Sequence, residues 1–106
     1  MSAPELRHLA TPDEWAVYQA TGSIEPPSLL DEGFVHCSTD EQLDATIERH
    51  YADADELIVL HLHADGLGDA LRWEESRPGE TFPHVYRAIE IAEVALAVPW
   101  HRPPGG

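Results

Sequence analysis

The chain has 106 residues, enough for one domain with one modest core, and 42% of them are hydrophobic. Twenty carboxylates face six basic residues, for a formal net charge of −14, and all six basic residues are arginine. Such a charge repels nucleic-acid phosphates and anionic lipid surfaces, and a chain without lysine has no Schiff-base or P-loop lysine. A small anionic ligand remains compatible if one or two arginines converge locally. The single Cys37 cannot form an intramolecular disulfide, no apolar run reaches the length of a membrane span, and the first residues lack the regions of a secretory leader. A soluble, cytoplasmic protein is expected, with residues 1–98 as one domain and 99–106 as a flexible tail rich in proline and glycine.

In chain order, Glu5 to Leu9 reads as a first strand. Thr11-Pro12-Asp13-Glu14 opens a helix: Thr11 caps it, Pro12 suits its first position, Glu14 completes a capping box, and Gly22 ends it. Ser23 to Glu32, with Pro26-Pro27, reads as a loop. Phe34 to Cys37 is a short strand, and Ser38-Thr39-Asp40-Glu41 is a second capping box with Ser38 as N-cap. Leu43, Ile47, His50 and Tyr51 then share one face of a helix running to about Ala52. Glu56 to His63 alternates as a central strand. A turn at Asp65 to Asp69 leads to a strand at Leu71 to Glu74, a polar turn at Ser76 to Thr81, and strands at Val85 to Ile89 and Glu93 to Val98. The pattern is α+β: a small split sheet, antiparallel or mixed, with two or three helices.

Two segments concentrate the chemistry. Gly33-Phe34-Val35-His36-Cys37-Ser38-Thr39 delivers a histidine, a thiol and two hydroxyls to a strand–helix junction. There His36 could meet an anion together with the helix dipole. Adjacent strand residues face opposite sides, so His36 and Ser38 share one face and Cys37 takes the other, as a small core residue. Phe82-Pro83-His84-Val85-Tyr86 places His84 and Tyr86 on one strand face, where they could clamp a ring or orient a hydroxyl. Glu74 and Glu75 follow Trp73; one of them turned inward would be a candidate acid or base. His61-Leu62-His63 has a chelating spacing but no third ligand, so no metal is expected. The chain has neither a dinucleotide glycine loop nor a nucleophile elbow.

These segments, with Trp73-Glu74-Glu75-Ser76 and the early Arg7-His8-Leu9 followed by Trp15, resemble the signatures of a bacterial family known as domain of unknown function 952. The resemblance runs from about Leu6 to Val98. Arg87 stands where members often carry glycine. The family is in turn similar to the ADP-ribosyltransferase superfamily, whose members bind NAD in the cleft of a split sheet. His8 on the first strand and Val35-His36-Cys37-Ser38 resemble the first-strand histidine and V-H-x-S segment of RNA 2′-phosphotransferases. That likeness implies ligand binding by His8 and His36, and ribose or phosphate contacts from Ser38 and Thr39.

Three functions follow as expectations. The first is an NAD- or nucleotide-binding transferase or hydrolase, with His8, His36 and His84 lining the cleft, Tyr86 beside it, and Glu74 or Glu75 stabilising an oxocarbenium charge. The second is a non-catalytic small-molecule binding module. The third is a structural or interaction protein whose histidines are core residues. All three turn on whether His8, His36 and His84 open onto one cavity.

Overall fold

In the computed structural model, which describes residues 3–104, strand β1 (Leu6–Ala10) enters helix α1 (Pro12–Thr21) through the expected cap. Thr11 Oγ1 accepts from the Glu14 amide at 3.1 Å, and the Glu14 carboxylate accepts from the Thr11 amide at 2.8 Å. Gly22 closes the helix at φ 83°, a left-handed position that a side chain would strain.

The Ser23–Glu32 stretch is more ordered than the loop expected of it. Ser23–Ile24 forms β2, and Pro27–Asp31 forms a short helix, α2. The two prolines start that helix rather than excluding one, because a proline in the first turn needs no intrahelical donor.

The Phe34–Thr39 segment also departs from expectation. Val35–His36 is β3, paired with β7 (Glu80–Val85), whereas Ser38–Thr39 is β4, paired with β1. The chain thus crosses between two sheets at Cys37. Ser38 is a strand residue and not an N-cap. Reciprocal bonds between the amides and side chains of Thr39 and Gln42, at 3.1 and 3.2 Å, instead close a turn ahead of the helix. Helix α3 spans Leu43–His50 with Gln42 as its N-cap and no side-chain cap bond, so its N-terminus lies several residues beyond His36.

Glu56–Leu62 forms β5, the central strand expected. Ala64–Leu67 forms α4, and a 3-10 turn at Gly68–Ala70 leads to β6 (Leu71–Arg77). Strand β6 pairs with β7 through the Pro78-Gly79 turn, so both strands reach further into the polar segment than its composition suggests. Pro83 is tolerated in the central strand β7 because its missing N–H falls where β3 has ended, while its carbonyl accepts from the Cys37 amide at 3.0 Å. The strand expected through Ile89 is broken at Tyr86, whose amide bonds to the Ala70 carbonyl; pairing resumes in β8 (Ile89–Glu90). Strand β9 spans Val94–His101, so Pro99, Trp100 and His101 belong to a strand and not to a tail. They pair with Ile58, Leu57 and Glu56 of β5. Gly105 and Gly106, the end of that expected tail, lie outside the described residues.

The result is an α+β fold with three sheets, ordered β4-β1-β5-β9, β3-β7-β6 and β2-β8, every pair antiparallel. The main core lies between the larger sheets and holds Leu6, Val35, Cys37, Leu60, Leu62 and Val85. Each such aliphatic side chain contributes about 1.5–3 kcal/mol by leaving water. A second core, of Leu9, Ile47, Leu57 and Val59, forms where α3 covers the opposite face of the four-stranded sheet. Alternation along β1 explains both: Leu6, His8 and Ala10 face one way and Leu9 the other.

Candidate functional site

A cavity of about 500 Å3 opens where β1, the β3–β4 crossover, β7 and the two helices α2 and α3 meet. His8, His36, Ser38 and His84 all line it, although they come from four different strands. The crossover at Cys37 is what allows this, since it lets one short segment serve both sheets.

The three histidines differ in setting. His8 is buried, and its Nδ1–H donates to the His36 carbonyl at 2.7 Å. Burial lowers its pKa, outweighing the carbonyl bond and Glu14, which raise it; the ring is held neutral. His84 is equally buried, and its Nδ1–H donates to the Glu74 carboxylate at 2.9 Å. Phe34 stacks on the His84 ring at 4.1 Å and 18°, fixing its plane. His36 stands half-exposed at the rim, bonded through Nε2 to Glu32 at 2.9 Å. Its ring meets that of His84 edge-on at 5.3 Å.

The remaining sequence candidates are placed otherwise. Ser38 Oγ lies 3.0 Å from Thr46 Oγ1, which bonds on to the Gln42 carbonyl. Thr39 closes the turn before α3 with Gln42 and does not line the cavity. Glu74 lies behind His84, outside the lining. The Tyr86 hydroxyl donates to the same Glu74 oxygen, and these two bonds, Tyr86 first and His84 second, hold the Glu74 carboxyl below its ordinary range. Tyr86 is exposed beneath the Arg72 guanidinium, 5.1 Å from its ring centre. Glu75 is exposed at the β6–β7 turn, accepting from the Gly79 amide at 3.1 Å. Cys37 is buried, and burial pushes its thiol up to about 12, far from a thiolate nucleophile.

The lining also holds basic residues that the sequence did not single out. Arg7, Arg49, Arg77 and His50 join the cavity, against only two carboxylates, Glu14 and Glu32. Half of the chain's six arginines, but two of its twenty carboxylates, thus face this space. Among the described residues Arg7, Arg87 and Arg102 pair with carboxylates, whereas Arg49, Arg72 and Arg77 pair with none; Arg72 lies outside the cavity, and the Arg77 guanidinium sits 5.7 Å from the centre of the Phe82 ring. Burial lowers the pKa of His50, and nearby His36, Arg49 and Arg77 lower it further, as expected of a positive local potential. No periodicity announces Arg49 or Arg77; their place in the cavity wall without a carboxylate partner sets them apart. Among the described residues, no group of three or more His, Cys, Asp or Glu is arranged to hold a metal. Among the described residues, no helix is long and apolar enough to cross a membrane.

The described residues form a small α+β fold of three antiparallel sheets, two of which contribute histidines to one cavity. The chain belongs to the family of proteins of unknown function DUF952, whose sequence model matches residues 9–97. It is similar to protein CC0527 from Caulobacter crescentus: the crystal structure of that protein is 33% identical, with a TM-score of 0.83 over 89% of this chain and 83% of that one. A crystal structure of a double mutant of the same protein gives 32% identity and a TM-score of 0.83 over the same shares. Its solution NMR structure gives 33% and 0.76 over 90% and 83%. No curated protein matches the chain.

Proposed function

We propose that the cavity binds a small anionic, nucleotide-like ligand, with NAD the leading candidate. One observation carries this reading: in a chain of net charge −14, Arg49 and Arg77 line a cavity without carboxylate partners. Arg49 is exposed and Arg77 partly buried, neither guanidinium is occupied by a carboxylate, and both are open to a ligand anion; arginine is the side chain suited to phosphate oxygens. The volume of about 500 Å3 is that of a small-molecule site. The lining fits NAD chemically: arginines for the pyrophosphate, and Tyr18, Tyr51 and Phe82 for flat rings. His8 on the first strand, inside a cavity bracketed by two sheets, is in keeping with the ADP-ribosyltransferase-like arrangement that the sequence resemblance implies. When bound, NAD would supply an electrophilic glycosidic carbon; transferase or hydrolase activity belongs to this proposal.

A non-catalytic binding module is the second reading. It is favoured by the position of Glu74 and Glu75 outside the lining and by the sealed Cys37 thiol. The proposal keeps the cytoplasmic setting expected from the sequence, and the net charge of −14 disfavours nucleic acid and anionic membranes as partners.

Thermal shift and calorimetry with NAD, ADP-ribose, AMP and the neutral nucleoside adenosine test the reading. The anionic nucleotides should raise Tm, adenosine should not, and Arg49→Ala and Arg77→Ala should each weaken binding about tenfold. Equal binding of adenosine and AMP, or no shift with any nucleotide at millimolar concentration, would overturn it. Turnover of NAD with a bound shift separates the enzyme from the module.

A further inference from the structure

Among the described residues, the buried side-chain polar atoms without a hydrogen-bond partner are His8 Nε2 and His84 Nε2. They belong to the two histidines buried in the cavity wall, at 6% and 5% exposure. Both rings are tethered in the same way. Each Nδ1 faces an atom that can only accept: the His36 carbonyl oxygen for His8, and the Glu74 carboxylate for His84. Each Nδ1 therefore carries the proton, and in the neutral ring Nε2 is left with a bare lone pair. Both atoms belong to cavity-lining residues from different sheets, and both are closed to solvent in this structure. A buried acceptor left unpaired is destabilising, and a folded chain keeps one where something else completes it.

We propose that His8 Nε2 and His84 Nε2 are paired hydrogen-bond acceptors that select, among anions, those bearing hydroxyl groups. The proposal rests on the anionic-ligand reading above and specifies it. The arginines take the charged end, and the two imidazoles take the donor hydroxyls of a phosphorylated sugar or nucleotide. These histidines are thus not phosphate ligands, which would require Nε2–H donors. Glu74 is a positioning residue: it fixes the His84 tautomer, and the Tyr86 hydroxyl on the same oxygen and the Phe34 ring steady the arrangement. A site built to accept from hydroxyls discriminates sharply against an analogue lacking them, because its buried groups are then left unpaired.

Two measurements test this. Long-range 1H–15N spectra of the imidazoles in the ligand-free protein at neutral pH should show His8 and His84 as Nδ1–H tautomers. Glu74→Leu should release the His84 tautomer, and Glu74→Gln, whose amide oxygen still accepts, should retain it. The second measurement compares ribose 5-phosphate with pentyl phosphate, equal in carbon number and anionic group but without the hydroxyls. Ribose 5-phosphate should bind about tenfold tighter, and His84→Phe should erase most of that ratio while leaving pentyl phosphate affinity within about twofold. Nε2–H tautomers, or pentyl phosphate binding as tightly as the sugar phosphate, would refute the acceptor role and leave the anionic reading standing. Failure of both phosphates to bind would sink the anionic reading, and this inference with it. The tautomer spectra need no ligand and serve also if His84→Phe fails to fold.

Discussion

His8 offers a direct test of the physics of the cavity wall, through the pH dependence of stability. Burial is the largest cause of its lowered pKa, with the His36 carbonyl and Glu14 acting against the shift and His36 itself adding to it. The folded pKa therefore lies below the unfolded value of about 6.5. As pH falls through 6.5 the unfolded chain takes up a proton before the folded one does. Stability that is full above pH 6.5 is lost as pH falls toward the folded pKa, at up to about 1.4 kcal/mol per pH unit from this one ring. Burial also lowers the pKa of His50 and His61, with the same sign, but both rings are more exposed and contribute less. His8→Phe keeps a flat ring of similar size and removes the titration. It also strips the His36 carbonyl of its 2.7 Å donor, so the variant should be less stable by about 1–3 kcal/mol at pH 7.5. The gap between wild type and variant should then narrow as pH falls from 7 to 5, because only the wild type loses the His8 contribution. Urea unfolding followed by tryptophan fluorescence measures this, with Trp15, Trp73 and Trp100 as probes. A gap that stays constant across that range would show that His8 is not held neutral by burial.

The packing and the thiol make further predictions. Leu60 is fully buried in β5, between His8 of β1 and Ala97 of β9, so Leu60→Ala should cost about 2–5 kcal/mol, read as a fall in the urea midpoint at unchanged m-value. A loss below about 1 kcal/mol would contradict the close packing of that layer. Cys37, buried and with its thiol pushed up to about 12, should react with a disulfide reagent at pH 8 on the order of a hundredfold more slowly in the native protein than in urea. Comparable rates would mean that the β3–β4 crossover opens readily.

Local chemistry made much of this protein legible in its sequence. The Thr11–Glu14 box, the Gly22 stop and the alternation of Glu56 to Leu62 each act over a few residues, so the residues alone state the element. The motifs around His36 and His84 carried the family. Where sequence and structure differ, a competing local solution exists: Thr39 and Gln42 close a turn that delays the helix to Leu43, and Pro27 can begin a helix as well as interrupt one. The extent of β9 through Trp100 depended on tertiary placement: β5 supplies its ladder, and Pro99 is tolerated because β9 is an edge strand. Tertiary structure alone decided the site. The crossover at Cys37 set His36 and Ser38 against β1 and β7, the β6–β7 pairing turned Glu74 behind His84, and the folding of α3 and β6 toward one cavity brought Arg49 and Arg77 together without partners. Those outcomes depend on contacts between residues tens of positions apart. A hydrophobic period or a cap specifies a segment's own shape, and the direction in which its polar side chains finally point is settled only when another segment packs against it.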